Sequence, residues 1–361
     1  MIFRHLALAS LALTLSSIGL ATASGSPSAP QAEVPRPHAA DFERFEQWLG
    51  NWEGTCVGHN RDGMTNTYPV KSQVRRTHGD KAISYQAQYQ GEDGGYSNLT
   101  HAFIGIDDET EELTFIRVGG QASHVNRHTG VWLDENTWMM SSTGRSEEGI
   151  DSWRLIRTFE GGRTYLKVEL AEGDEPFWTR WTFEESRIGE FEFAKPAASE
   201  EQQGQVSEEM TRLAPFMGAF TFEGATPSQD FPGKVYPFTG RIQEQMLPGT
   251  LVSHGTWEVD ANPYSEAKAG NWFRFWDAPK NCYQYVGVSN EGRIETKFGS
   301  INEDGALVMF QARYRSESQR VRRTISTPSE EGKLHILREG LDADGDQGVV
   351  WFCTSTPASR Q

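Results

Sequence analysis

Three cysteines in 361 residues are too few to build a disulfide scaffold. Their positions, Cys56, Cys282 and Cys353, match no zinc-ligand spacing. Only Cys282 and Cys353 fall in the same half of the chain, and the sequence leaves open whether they pair. Basic residues are also scarce, with 34 Lys and Arg against 50 Asp and Glu, a formal net charge of −16. That balance argues against nucleic acid or an anionic membrane surface as the partner. The Gly-x-Ser-x-Gly elbow, His-Glu-x-x-His, the P-loop and the dinucleotide fingerprint are all missing. Tyr264-Ser265-Glu266-Ala267-Lys268 has the Tyr-x-x-x-Lys spacing of a dehydrogenase, but no strand–helix alternation surrounds it.

Long apolar runs are confined to the start. Arg4 and His5 precede an apolar stretch from Leu6 to Leu20, and Ala21-Thr22-Ala23 offers a small-residue cleavage site. Residues 1–23 therefore read as an export signal, too short and too rich in Ser and Thr for a comfortable membrane span. Residues 24–40, rich in Ser, Ala and Pro, read as a flexible lead-in. The expected destination is the periplasm or the exterior, without membrane insertion.

What the chain does have, it has twice. Trp48-Leu49-Gly50-Asn51-Trp52-Glu53-Gly54 is followed by Tyr68-Pro69, and Phe216-Met217-Gly218-Ala219-Phe220 by Tyr236-Pro237. In each copy an aromatic stands two residues after the glycine, and the Tyr-Pro pair follows at the same spacing. Phe103-Ile104-Gly105-Ile106-Asp107 is echoed by Tyr285-Val286-Gly287-Val288-Ser289, and Arg157-Thr158-Phe159 by Arg323-Thr324-Ile325. A duplicated unit of ordinary domain size is expected, over 41–193 and 210–357, with a polar linker at 194–209.

Both units show the period-two pattern of half-buried strands. Ile83, Tyr85, Ala87 and Tyr89 alternate with Ser84, Gln86 and Gln88; Leu166, Val168 and Leu170 alternate with Tyr165, Lys167 and Glu169. Phe177, Thr179, Trp181 and Phe183 form another such row, as do Val349, Trp351 and Cys353. Turn-forming clusters at 91–95, 107–112, 302–305 and 342–348 separate the rows. Helix is limited to a short amphipathic segment before each repeat, at 39–49 and around Met210, Leu213 and Phe216. About eight strands per unit, joined by short turns, predict an all-β protein of two closed up-and-down antiparallel barrels in tandem, each preceded by a short helix.

A short helix followed by Gly-x-Trp at the head of a strand meander resembles the lipocalin and fatty-acid-binding-protein superfamily, the calycins. The phrase Trp48-Leu49-Gly50-Asn51-Trp52-Glu53-Gly54 looks most like the lipocalin-like domains of bacteria, and the second copy departs from it with Phe220 and Phe222. The resemblance implies a binder of small apolar molecules. Isomerases, cyclases and hydratases are a minority of that superfamily, and structural barrels filled by side chains are a third alternative.

The candidate ligand-binding residues are Trp52, Tyr85, Trp138, Arg157 and Trp181 in the first unit, and His254, Trp257, Tyr285 and Arg323 in the second. Aromatic side chains supply contact area with a polar tip. Arg157 lies in phase with Trp153, Leu155 and Phe159, and Arg323 with Val321 and Ile325. A guanidinium there either anchors a polar head group by its planar fork or packs over the opening aromatic and caps the barrel, as the resemblance implies. Tyr85, Arg157 and His254 are the interior-leaning candidates for acid–base work, and they form no recognisable catalytic constellation. His124 and His128 share i, i+4 spacing behind Gly119-Gly120, where a helix is doubtful, and His335 stands on a late strand without matching surroundings. The stretch at 342–346 begins like a calcium loop but has Gln347 at the sixth position and Cys353 at the twelfth. No metal, cofactor or catalytic residue is expected; the expected partner is a small hydrophobic or amphipathic molecule.

Overall fold

In the computed structural model, the described residues are 43–358 apart from 78–81, 92–93, 98, 108–109, 111, 120–124, 147–148, 195–206, 229–232, 249, 264, 316–317 and 342–346. The export signal, the lead-in, most of the linker, His124, Tyr264 and the calcium-loop look-alike lie outside them. Among the described residues no helix is long and apolar enough to cross a membrane.

The opening segment is a single 3-10 turn, Arg44–Trp48, which buries Phe45 and Trp48. The chain then reverses at Gly50, whose φ of +135° favours glycine, and enters the first strand. Ten strands follow: β1 (Gly50–His59), β2 (Thr65–Arg76), β3 (Ile83–Tyr89), β4 (Thr100–Asp107), β5 (Leu113–Val118), β6 (Asn126–Trp132), β7 (Thr137–Ser146), β8 (Gly149–Glu160), β9 (Arg163–Glu172) and β10 (Trp178–Ile188). Each pairs antiparallel with its neighbours in sequence, and β10 returns to β1, so the ten strands close into a barrel.

A short helix, α1 (Glu208–Thr211), begins where Ser207 Oγ accepts from the backbone of Met210. A 3-10 turn at Ala214–Phe216 and then Gly218, with φ of +127°, repeat the opening device. Ten further strands follow: β11 (Gly218–Pro227), β12 (Val235–Met246), β13 (Val252–Val259), β14 (Lys268–Asp277), β15 (Cys282–Ser289), β16 (Arg293–Ile301), β17 (Leu307–Arg315), β18 (Ser318–Pro328), β19 (Leu334–Leu341) and β20 (Gln347–Pro357). These also pair in consecutive antiparallel order, with β11 lying beside β20 as well as β12.

Three apolar clusters hold the molecule. One fills part of the barrel interior around Trp48, Tyr85 and Trp138, and one lies inside β11–β20 around Phe220, Trp272 and Tyr285. The third is a seam between the two sets of strands, where Phe103, Ile116 and Val118 meet Phe273, Val286 and Ile294. Phe103 stacks on Phe273 at 4.8 Å, and His101 on His254 at 5.9 Å. A short parallel pairing joins β4 to β16, with the Ile106 amide donating to Gly292 at 2.7 Å. A Cβ at Gly105 would come within 2.7 Å of that same carbonyl, so the glycine permits the approach.

The seam explains why the strands outnumber the sequence expectation of about eight. On β4 and β5 nearly every residue is buried, because one face lines the barrel and the other the seam. A strand covered on both faces loses the polar half of its alternation and with it the sequence signal. The two echoed phrases fall on β4 and β15, the fourth strand of the first set and the fifth of the second.

Candidate functional site

The barrel encloses a cavity of about 530 Å³. One part of its wall is Trp48, delivered by the 3-10 turn, whose ring lies 5.4 Å from Tyr85 and 5.9 Å from Trp138. Trp52, next along the chain, stands behind it and donates its indole N–H to the Trp48 carbonyl at 2.8 Å. Elsewhere the wall is made by Tyr68 and by the β3–β4 connection, which contributes Gln90, Gly91, Gly95, Tyr96 and Ser97. Phe115, Leu155, Leu166, Val168, Trp181 and Phe183 line it from the inward positions of their strands.

Two arginines border this space in different states. Arg157 is buried, with its guanidinium 4.6 Å from the Trp48 ring. Its Nη1 donates to Thr164 Oγ1 and to Glu185 Oε2, each at 3.0 Å, and Ser72 Oγ donates to Glu185 Oε1 at 2.6 Å. Glu185 is fully enclosed, so its charge and that of Arg157 cancel inside the barrel. Arg117 reaches the cavity from β5, in phase with Leu113 and Phe115. Among the described residues it has neither hydrogen bond nor ion pair, and its Nε is buried without an acceptor. Trp48, Trp138 and Arg157 each present a further buried N–H without an acceptor on the same cavity. The site is therefore apolar over most of its surface, carries one uncompensated positive charge, and offers donors in search of an acceptor.

Burial pushes the Tyr85 hydroxyl well above the usual phenol range and that of Tyr89 up to about 12. Burial, helped by the charge of Glu185, pushes the Cys56 thiol up to about 12. All three cysteines are free.

Of the nine residues singled out from sequence, Tyr85, Trp138, Arg157 and Trp181 border the cavity, and Trp52 packs directly behind it. The other four are elsewhere. His254 faces the seam, stacked on His101, and burial lowers both imidazoles to about 4. Trp257 and Tyr285 pack inside β11–β20. Arg323 is not interior: it is half-buried and ion-paired to Glu339 through Nε at 2.9 Å and Nη2 at 2.6 Å. Val321, two residues before it on the same face, is exposed, so the face is the reverse of the one expected. Arg157 packs over Trp48 rather than Trp52; Arg187 takes the Trp52 ring, at 5.1 Å.

His128 is buried on β6 against Phe115, and burial lowers its imidazole to about 3. His335 is exposed, within 3.2 Å of Thr354 Oγ1. Among the described residues no His, Cys, Asp and Glu group is arranged to hold a metal ion. Sequence reasoning missed Arg117 and Glu185. The signal for each was present, in the rows Leu113-x-Phe115-x-Arg117 and Trp181-x-Phe183-x-Glu185.

The first ten strands thus form a closed antiparallel barrel, calycin-like in fold, around an aromatic cavity. No family model matches the chain, and no curated protein matches it. Among solved structures, Rv2717c from M. tuberculosis is similar at 10% identity and a TM-score of 0.31, over 41% of this chain and 96% of its own. A protein of unknown function of the DUF3598 family, from Nostoc punctiforme, is similar at 11% identity and a TM-score of 0.29, over 88% of this chain and 98% of its own. Likenesses this distant transfer neither family nor function.

Proposed function

We propose that the protein is an exported, lipocalin-like carrier that binds a small amphipathic molecule in the cavity of its N-terminal barrel. The observation that carries this reading is the pairing of a cavity of about 530 Å³, walled by aromatic and aliphatic side chains, with the unpaired guanidinium of Arg117. Volumes of this order suit a small ligand, and apolar walls supply affinity at about 25 cal/mol per Å² buried. Arg117 orients the polar end, while Arg157, neutralised by Glu185, holds the wall. Tyr85, Tyr89 and Cys56, which border the cavity, are held protonated by burial and supply no base near neutral pH. Binding rather than acid–base chemistry is the reading that fits this environment.

Residues 41–193 form the binding barrel in this proposal. Residues 210–357 form a second barrel of the same descent, supported by the repeated Gly50 and Gly218 openings and by the return of β11 to β20. Export rests on residues 1–23.

The test is native mass spectrometry of the mature protein from its own host, followed by solvent extraction and identification of the bound molecule. A stoichiometric amphiphile, released together with a change in tryptophan emission, is expected. Protein that arrives empty and quenches with no hydrophobic or amphipathic probe refutes the proposal.

A further inference from the structure

The interior of β11–β20 differs chemically from the cavity of the barrel. On β14, Phe273 and Phe275 turn to the seam, which sends Trp272, Arg274 and Trp276 inward. On β16, Ile294 takes the seam, which sends Glu295 and Lys297 inward. Arg338 follows Leu334 and Ile336 inward on β19. Three cations thus converge where the barrel has aromatic rings, and each is at most 13% exposed along its side chain.

Their protein partners do not balance them. Arg274 lies 3.3 Å from Glu244, whose other oxygen already accepts from Ser253 at 2.6 Å. Lys297 holds Glu295 at 2.6 Å, with its ammonium 4.1 Å from the Tyr285 ring. Arg338 donates to Gln311 at 2.7 Å and approaches the same Glu295 only at 3.7 Å. Among the described residues, two carboxylates therefore serve three cations. Nε of Arg274, Nε of Arg338 and the Trp272 indole N–H are buried without an acceptor, and Arg274 Nη1 meets Glu244 only as an ion pair without a hydrogen bond; the other unpartnered buried atom on this face is the Ser355 hydroxyl. Burial also lowers the Lys297 ammonium to about 8 even with Glu295 beside it. A surplus of positive charge and of donors calls for a ligand that is anionic and accepts only. Water would satisfy the N–H groups but not the charge.

We propose that Arg274, Lys297 and Arg338 form a second binding site, for a small molecule bearing a carboxylate or phosphate oxyanion. It is separate from the amphiphile cavity and does not depend on that assignment. The two arginines supply planar forks and the lysine a compact charge, a combination that grips an oxyanion from several sides.

The test uses the full mature chain in thermal melts at constant ionic strength, with chloride as the reference and inorganic phosphate, acetate and succinate as probes. At least one oxyanion is expected to raise the melting temperature saturably. Lys297→Met and Arg338→Gln are expected to weaken that response at least tenfold, and Arg241→Gln, at an exposed arginine outside both sites, to leave it unchanged. Phosphate against succinate separates a phosphate ligand from a carboxylate. Acetylation of Lys297 in the unaltered protein, read by peptide mass spectrometry, serves where a variant fails to fold: the saturating oxyanion is expected to slow it. The proposal is overturned if no oxyanion stabilises beyond chloride, if the response survives in both folded variants, or if Lys297 is acetylated at the same rate with and without the anion.

Discussion

Glu185 is the residue whose loss the barrel should tolerate least. Glu185→Gln keeps the volume and leaves an oxygen for Ser72, but it leaves the Arg157 charge, 2% exposed, without a counterion. Its fixed protein neighbours are Thr164 and the ring face of Trp48, neither of which carries a negative charge. Removing one partner of a buried pair costs about 3–5 kcal/mol. Arg157→Leu with Glu185→Leu removes both charges together and should recover most of that loss, because an apolar pair of similar volume avoids the desolvation of either ion. The assay is urea unfolding of Glu185→Gln, of Arg157→Leu and Glu185→Leu singly, and of their double, followed by tryptophan emission and circular dichroism, with the slope checked for constancy. A loss below about 1 kcal/mol for Glu185→Gln, or simple additivity in the double variant, would refute the claim that this pair is a closed electrostatic unit.

Three further outcomes follow from the geometry. Arg117→Gln should weaken an anionic amphipathic probe by about 10- to 100-fold, the range for a charge-assisted hydrogen bond, while an uncharged analogue of equal length binds as before; parallel fluorescence titrations decide it. Acid should destabilise the seam: His101 and His254 stay neutral in the fold down to about pH 4, whereas the unfolded chain takes up their protons below about 6.5. Their contribution is complete above about pH 6.5 and lost as pH falls toward 4, by at most about 3 kcal/mol each, and Phe at both positions should flatten this part of the stability–pH curve. Gly105→Val should cost about 1–3 kcal/mol by driving β16 away from β4, detectable as faster hydrogen exchange at Ile106, while Gly63→Ala, with open space around its Cβ, tests only turn strain.

The architecture was legible wherever one face of a strand meets solvent. Burial alternates from Ile83 to Ala87 and from Thr164 to Val168 as the sequence does, until Gln88 and Glu169 break the rows by being buried as well. Legibility failed on β4 and β5, where Phe103, Ile116 and Val118 fill the seam and mask the inward row that ends in Arg117. Alternation also cannot say which side is in. Arg157 and Arg323 occupy like phrases on the eighth strand of each set, yet one is buried and the other pairs with Glu339 outside. Arg338 and Glu339 are adjacent on β19, so one continues the inward row of Leu334 and Ile336 and the other turns out to Arg323, while the register shift beside them leaves Val350 of β20 without a ladder partner. The Ser–Glu–Arg arrangement shows the same limit. It occurs as Ser72, Glu185 and Arg157 in the barrel and as Ser253, Glu244 and Arg274 in the second set, on strands that do not correspond.

The seam has a consequence for how the halves can exist. A strand set cut free at the linker would expose a continuous apolar strip, with Phe103, Ile116 and Val118 on one product or Phe273, Val286 and Ile294 on the other. Strips of that kind recruit like surfaces, so each fragment would self-associate or be captured by quality control. The two halves are consequently bound to a shared fate: made as one chain, delivered as one chain, and present in equal number wherever either is at work.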